Sequence, residues 1–216
     1  MPNTSNRLDF ANARRKTRRL YARTLYACRD AWNLCRYGRD APRSCELILV
    51  RLSNVRAAVV KRDHVFRNKY ASGRILADCR LEGRQIVALS EAVKVQHCIR
   101  RWVDGKSWEE AGVFEFYRHM GFKEEAIQMR HERLDAIFDM VRREGRLRSQ
   151  AELDSRRLRE EGGIRIHLDP HGAPLFADGG AHRIAMGLIL GFEKIPAQIG
   201  CVHESGIPHV PRLRPG

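Results

Sequence analysis

Across the 216 residues no run of eighteen or more apolar side chains occurs, which excludes a conventional membrane-spanning helix. The first residues lack the basic start, apolar stretch and small-residue cleavage site of a secretion signal. Together these absences predict a soluble, cytoplasmic chain without a membrane span. Six cysteines are present, yet no two stand as C-x-x-C and no His/Cys pair has zinc-finger spacing. Neither a redox dithiol nor a structural zinc site is expected, and reduced, mostly buried thiols are. Internal repeats and low-complexity runs are missing as well. With 43% hydrophobic residues the chain can build a core, which sets it apart from disordered sequences.

What the sequence does have is positive charge, 40 Lys and Arg against 26 Asp and Glu. The surplus sits at one end: residues 1–80 hold 19 basic and 6 acidic side chains, residues 81–216 hold 21 and 20. Such a patch invites an anionic partner. Nucleic acid bound through residues 7–80 is one candidate, because guanidinium groups release counterions on meeting phosphates. The predominance of arginine, 33 against 7 lysines, carries less weight, since a GC-rich coding bias produces the same skew.

From Leu8 to about Arg36, the positions Tyr21, Leu25, Cys28, Trp32 and Cys35 alternate in steps of four and three. They predict a long helix with one apolar stripe for the core and a solvated basic face, stopped by Gly38 and Pro42. Further helices are predicted over Glu46 to Asn68 and Gly83 to Val103. Ser107 and Glu110 then form an S-x-x-E capping box that should open another. The adjoining GKS is not a phosphate loop, because Arg100 stands where a Walker sequence needs its first glycine. Phe122 to Glu144 reads as an amphipathic helix carrying Ile127, Leu134, Ile137, Phe138 and Val141, with Gly145 to stop it. The mixed charges of LRSQAELDSRRLREEGG suggest a solvated helix ending at Gly162-Gly163, and a domain boundary near residue 150. The final PHVPRLRPG reads as a tail held only if something binds it.

After Gly163 the period changes. Ile164, Ile166 and Leu168 alternate with Arg165 and His167, which is a strand; Asp169-Pro170-His171-Gly172 makes a turn, and Ala173 to Ala177 returns as a second strand. Gly179-Gly180 precedes a helix expected from about Ala181, with Ile184, Ala185, Leu188 and Ile189 inward and Gly191 at its end. Ile195 to Val202 reads as a buried strand. A strand, a glycine pair and a helix start are the order that phosphate sites use, because backbone N–H groups and the positive end of the helix dipole converge there. His182 and Arg183, in the first turn, could add charge-assisted hydrogen bonds.

The run Gly179-Gly180-Ala181-His182-Arg183-Ile184-Ala185, followed after a short helix by Ile195-Pro196-Ala197, resembles the nucleotide-binding core shared by sulfiredoxins and ParB-like proteins. The likeness covers roughly residues 163–202. It implies an α+β protein: a mostly helical basic region, 1–150, followed by a small ParB/sulfiredoxin-like α/β domain, 151–216. It further implies that Gly179, Gly180, His182 and Arg183 hold nucleotide phosphates. Ala181 replaces the cysteine that attacks in sulfiredoxins, so their usual chemistry is excluded, and Cys201 reads as a packed thiol. Some relatives of this kind are kinases. That likeness implies ATP or ADP with Mg2+ as cofactors and phosphoryl transfer to a small-molecule or protein hydroxyl, with Asp178, Glu160 or Glu161 as the carboxylate that orients the acceptor. His167, His171 and His203 are candidates to flank the site. The alternatives are a DNA-associated ParB-like protein, binding or nucleolytic, that uses the basic N-terminal helices, and a catalytically inactive binding module.

Overall fold

A ten-residue strand near the C-terminal end, Lys194–His203, organises the molecule. The computed structural model describes residues 4–60, 70–77, 85–177 and 179–216. Its helices are α1 (Thr4–Tyr37), α2 (Val93–Trp102), α3 (Val113–Arg118), α4 (Glu124–Glu144), α5 (Gln150–Leu153) and α6 (Ala181–Ile189). Its strands are β1 (Leu47–Arg51), β2 (Ala57–Val60), β3 (Ile75–Leu76), β4 (Gln85–Ala88), β5 (Ile164–Leu168), β6 (Pro174–Phe176) and β7 (Lys194–His203). They form one mixed sheet in the order β1-β7-β5-β6-β2-β4, with β3 beside the far end of β7. The class is α+β, as the sequence predicts. Among the described residues no helix is long and apolar enough to cross a membrane.

β7 holds the centre because both of its edges are used. On one side it pairs antiparallel with β1, Ile48 opposite Ala197, and then parallel with β3, Ile75 opposite Val202. On the other it pairs parallel with β5, Ile166 opposite Ile199. Gly200 is required where β7 passes β5: a Cβ there would fall on the His167 ring, whose Nδ1 accepts the Cys201 N–H at 2.7 Å. Ile48, Ile164, Ile166, Ile184, Ile195 and Ile199 are fully enclosed, and each such side chain contributes about 1.5–3 kcal/mol by leaving water. α6 lies on β5 and packs against α2 and α4, with Gly187 letting it approach Ile195 and Leu147.

Several local expectations are corrected. Glu46 to Asn68 is not a helix: β1 and β2 occupy its described part, joined by a short 3-10 turn at Leu52–Asn54, and residues 61–69 lie outside the described residues. The described part of Gly83 to Val103 divides into β4, a 3-10 turn at Leu89–Glu91 and α2, and residues 83–84 lie outside the described residues. The Ser107 capping box does form, with Ser107 N–H to Glu110 at 2.8 Å and Glu110 N–H to Ser107 Oγ at 3.1 Å. It closes only a turn, because Gly112 at φ 87° breaks the path and α3 starts after it. The charged linker is helical for four residues only, capped reciprocally by Ser149 and Glu152. The boundary near residue 150 does not divide the sheet, since β1, β2 and β4 from one side of it hydrogen-bond β7, β6 and each other. The C-terminal tail is docked on the chain itself: Val210 is buried and Arg214 donates to Glu46 Oε1 at 2.7 Å.

α1 turns the opposite way from its apolar pattern. The stripe of Tyr21, Cys28, Trp32 and Cys35 faces solvent, with Trp32 67% exposed. The inward face is Ala22, Tyr26 and Asn33, joined by two charged residues that bond the protein. Arg29 donates to the carbonyls of Tyr70 and Ser72 at 2.6 and 2.7 Å. Asp30 accepts from Ser44 N–H and from Arg159 at 2.6 and 2.7 Å. These hydrogen bonds seat the helix together with a small apolar cluster of Ala22, Tyr26 and Cys45. Two of the thiols, Cys28 and Cys35, are therefore exposed, while Cys45, Cys98 and Cys201 are buried; Cys79 lies outside the described residues.

Candidate functional site

The glycine pair before α6 has a packing reason. Gly180 sits at φ 76° as the N-cap residue and supplies no side-chain cap; its carbonyl takes the first helical bond, from Ile184 N–H at 3.0 Å. A Cβ on Gly180 would meet the Ile164 Cα at 2.8 Å, and one on Gly179 would meet the Arg165 Cβ at 3.0 Å. The loop presses on β5 so closely, bonded by Arg165 N–H to Gly179 C=O at 3.0 Å, that only glycine fits at the second position. Asp178 lies outside the described residues.

His182 and Arg183 are about 100° apart around the helix and meet different surroundings. His182 points toward α2 and α4, its ring edge-to-face with His131 at 6.1 Å. Burial pushes its pKa down to about 3, and the charged groups acting most strongly on it push the same way: Arg130, His131, Lys94 and His97. His97, also buried, is pushed to about 4 by burial and by Arg100, His131 and Lys94. His131 is 1% exposed and held below its ordinary value, chiefly by burial. Its Nδ1 lies 2.6 Å from the Ile127 carbonyl, which fixes the proton there and leaves Nε2 as the lone-pair nitrogen, buried without a hydrogen-bond partner. The nearby acid is occupied: Asp135 accepts from Arg101 at 2.8 Å, Trp102 Nε1 at 2.8 Å and Trp108 Nε1 at 3.1 Å. Three imidazoles held neutral thus lie among α2, α4 and the first turn of α6, where the charges of Arg130 and Lys94 act on His182, and the positive end of the helix dipole adds to the attraction for an anion.

Arg183 turns to the other side. Its Nη2 donates to the Arg148 carbonyl, its Nε is buried without a partner, and burial lowers its pKa while Glu160 acts to raise it. Glu160 is wholly buried. Its Oε2 accepts the Gln150 N–H at 2.7 Å, at the start of α5, its Oε1 has no partner, and burial raises its pKa. Of the three carboxylates expected beside the loop, Glu160 is therefore enclosed and employed in holding α5. Glu161 lies in a separate cleft against α1.

The other sequence candidates divide clearly. Ala181 is 6% exposed and belongs to the core. Cys201 is fully buried, as expected of a packed thiol. His167 is not an exposed strand histidine but a core residue, 2% exposed. His171 sits in a turn closed by Asp169 Oδ1, which accepts its N–H at 2.8 Å, and His203 Nδ1 accepts from Ser205 N–H at 3.1 Å. Among the described residues no group of three or more His, Cys, Asp or Glu could hold a metal ion. Sequence reasoning missed Lys94, His97, Arg130 and His131. One of them left a signal: His131 interrupts the inward stripe of α4, the buried Ile127, Phe138 and Val141 with the half-buried Leu134, where an apolar residue is the rule. Comparison of the chain with protein-family models, with curated proteins and with solved structures finds no match.

Proposed function

We propose that the amino end of α6 binds the phosphate group of a nucleotide, ATP or ADP, in the manner that the ParB/sulfiredoxin-like resemblance of residues 163–202 implies. One observation carries the reading. The first turn of α6 has no side-chain cap and carries His182, whose ring lies 6.1 Å from that of His131; besides burial, the charges of Arg130 and Lys94 act on it. A phosphate there would meet backbone N–H groups and would favour protonation of the otherwise neutral His182 ring. The glycines make the loop's shape, and the cations make its chemistry.

Phosphoryl transfer to a hydroxyl is the reaction this reading leads to. In it Mg2+ arrives on the nucleotide phosphates rather than in an all-protein cage, as magnesium commonly does. Glu160 is a poor orienting carboxylate because it is enclosed, which leaves Asp178, the loop neighbour, as the acid of choice. The test is a proton NMR titration of the histidine rings, with and without inorganic phosphate or ADP. A dianion beside His182 should lift its pKa from about 3 toward the ordinary value of ~6.5. A His182 titration that neither phosphate nor ADP moves would overturn the proposal.

A further inference from the structure

Glu161 lies apart from the α6 site, in a cleft of about 220 Å3 between α1 and the loop before β5. Its walls are Arg19 and Arg23 from α1 and Arg156 and Arg157 from the loop, with Ala22, Tyr26 and Gly162 between them. Four guanidinium groups face one carboxylate. The other local acid, Asp154, is engaged by Arg156 at 3.0 Å and Arg157 at 3.9 Å, so the cleft keeps a net charge of about +2 when both acids are counted against the four arginines.

Of the four, the two arginines of α1 are the less engaged by the fold, and the other two are oriented by it. Arg19 makes no hydrogen bond or ion pair with any described residue, and Arg23 donates only to the Arg156 carbonyl, at 3.1 Å, which ties the two walls together. Gly162, at φ 85°, has its missing Cβ site 2.6 Å from Arg157 Nη1, so the backbone is shaped to let that guanidinium, bonded to the Glu161 carbonyl at 2.9 Å, lie across it.

We infer that this cleft binds a phosphate ester. Guanidinium groups match phosphate oxygens in geometry as well as charge, and a net +2 suits a group of one or two negative charges. The volume is below the ~300 Å3 at which pockets begin to enclose whole small ligands, so it admits the phosphate and leaves the rest of the molecule outside. The basic surplus around the cleft says what the rest is. Residues 1–80 hold 19 basic against 6 acidic side chains, and Arg19 and Arg23, one turn apart on α1, line the cleft, so a polyanion is drawn to this part of the chain. The ligand is the backbone of a single-stranded nucleic acid. This site does not depend on the α6 reading.

The test follows the 216-residue protein binding a short labelled single-stranded oligonucleotide by fluorescence anisotropy over a range of salt, with AMP as competitor. Arg19→Gln removes a side chain the fold does not use, and should weaken oligonucleotide binding about tenfold while lowering the salt slope by roughly 0.7. Gly162→Ala, which displaces Arg157, should weaken it as well. Arg133→Gln, the same charge change on α4, should leave binding within twofold. Equal losses for Arg133→Gln and Arg19→Gln would reduce the interaction to net charge and overturn the inference. AMP competing as well as an equal concentration of oligonucleotide phosphates would overturn the polymer assignment. A phosphate-induced shift of His182 that persists in Arg19→Gln keeps the two sites distinct.

Discussion

Replacing Gly180 with alanine separates packing from ligand binding as the reason for the glycine pair. Two costs add. An alanine at φ 76° is held in the left-handed region, at about 1–2 kcal/mol. Its Cβ would also lie 2.8 Å from the Cα and 2.9 Å from the N of Ile164, backbone atoms of a strand paired on both edges that cannot turn aside as a side chain would; overpacking of this kind costs about 1–3 kcal/mol. The expected loss is about 3 kcal/mol in urea unfolding, read as a lower midpoint with an unchanged slope. Gly179→Ala makes one tight contact, with the Arg165 Cβ at 3.0 Å, its other neighbours lying at an ordinary 3.6 Å, and should cost about 1 kcal/mol. A Gly180→Ala protein within 0.5 kcal/mol of the parent would refute the packing argument and return the glycine to the ligand. The predicted result also means that lost nucleotide binding in Gly180→Ala would report damage to the fold, so other variants must carry the functional test.

Asp135→Ala should destabilise by about 2–4 kcal/mol, measured by the same titration, because it strands two indole N–H groups and the Arg101 guanidinium. Trp32→Glu should leave stability within about 0.5 kcal/mol, since the ring is 67% exposed; a loss above 2 kcal/mol would mean that α1 is seated the other way. Histidine titration sets a pH dependence. His97 and His182 are lowered to about 4 and about 3 in the fold, so the unfolded chain, titrating near 6.5, binds more protons below that pH. Their contribution is full above about pH 6.5 and declines as pH falls toward the folded values, which thermal melts from pH 7.5 to pH 5 should show as a falling midpoint. Bound phosphate should blunt that decline, because it favours the charged imidazole.

The span from β5 to β7 was legible because its signals are local: alternation in Ile164–Leu168, a proline-glycine turn at 169–172 and a glycine cap at 180 each act within a few residues. Residues 46–60 were not. LILVR buries Ile48 and Val50, a two-residue period too short to tell from a helix face, and what makes it a strand is its pairing with β7 about 150 residues later. On α1 the larger apolar residues pointed to the wrong face, since the inner face is seated by Arg29, Asp30 and Asn33 through hydrogen bonds that no hydrophobic period records. The candidate site was half visible. His182 and Arg183 announce themselves beside the glycines, whereas Lys94, His97, Arg130 and His131 arrive from α2 and α4, and only the fold brings them to α6.

The most direct test of the phosphate site is calorimetric titration of the nucleic-acid-free protein with ATP and ADP, with and without magnesium, beside the His182→Gln and Arg130→Gln variants. The account predicts saturable binding that each variant weakens about tenfold, the effect of removing one charge-assisted hydrogen bond, with folding retained in Arg130→Gln because that side chain is exposed. Absence of binding to either nucleotide under all conditions, or binding that both variants retain in full, would contradict it.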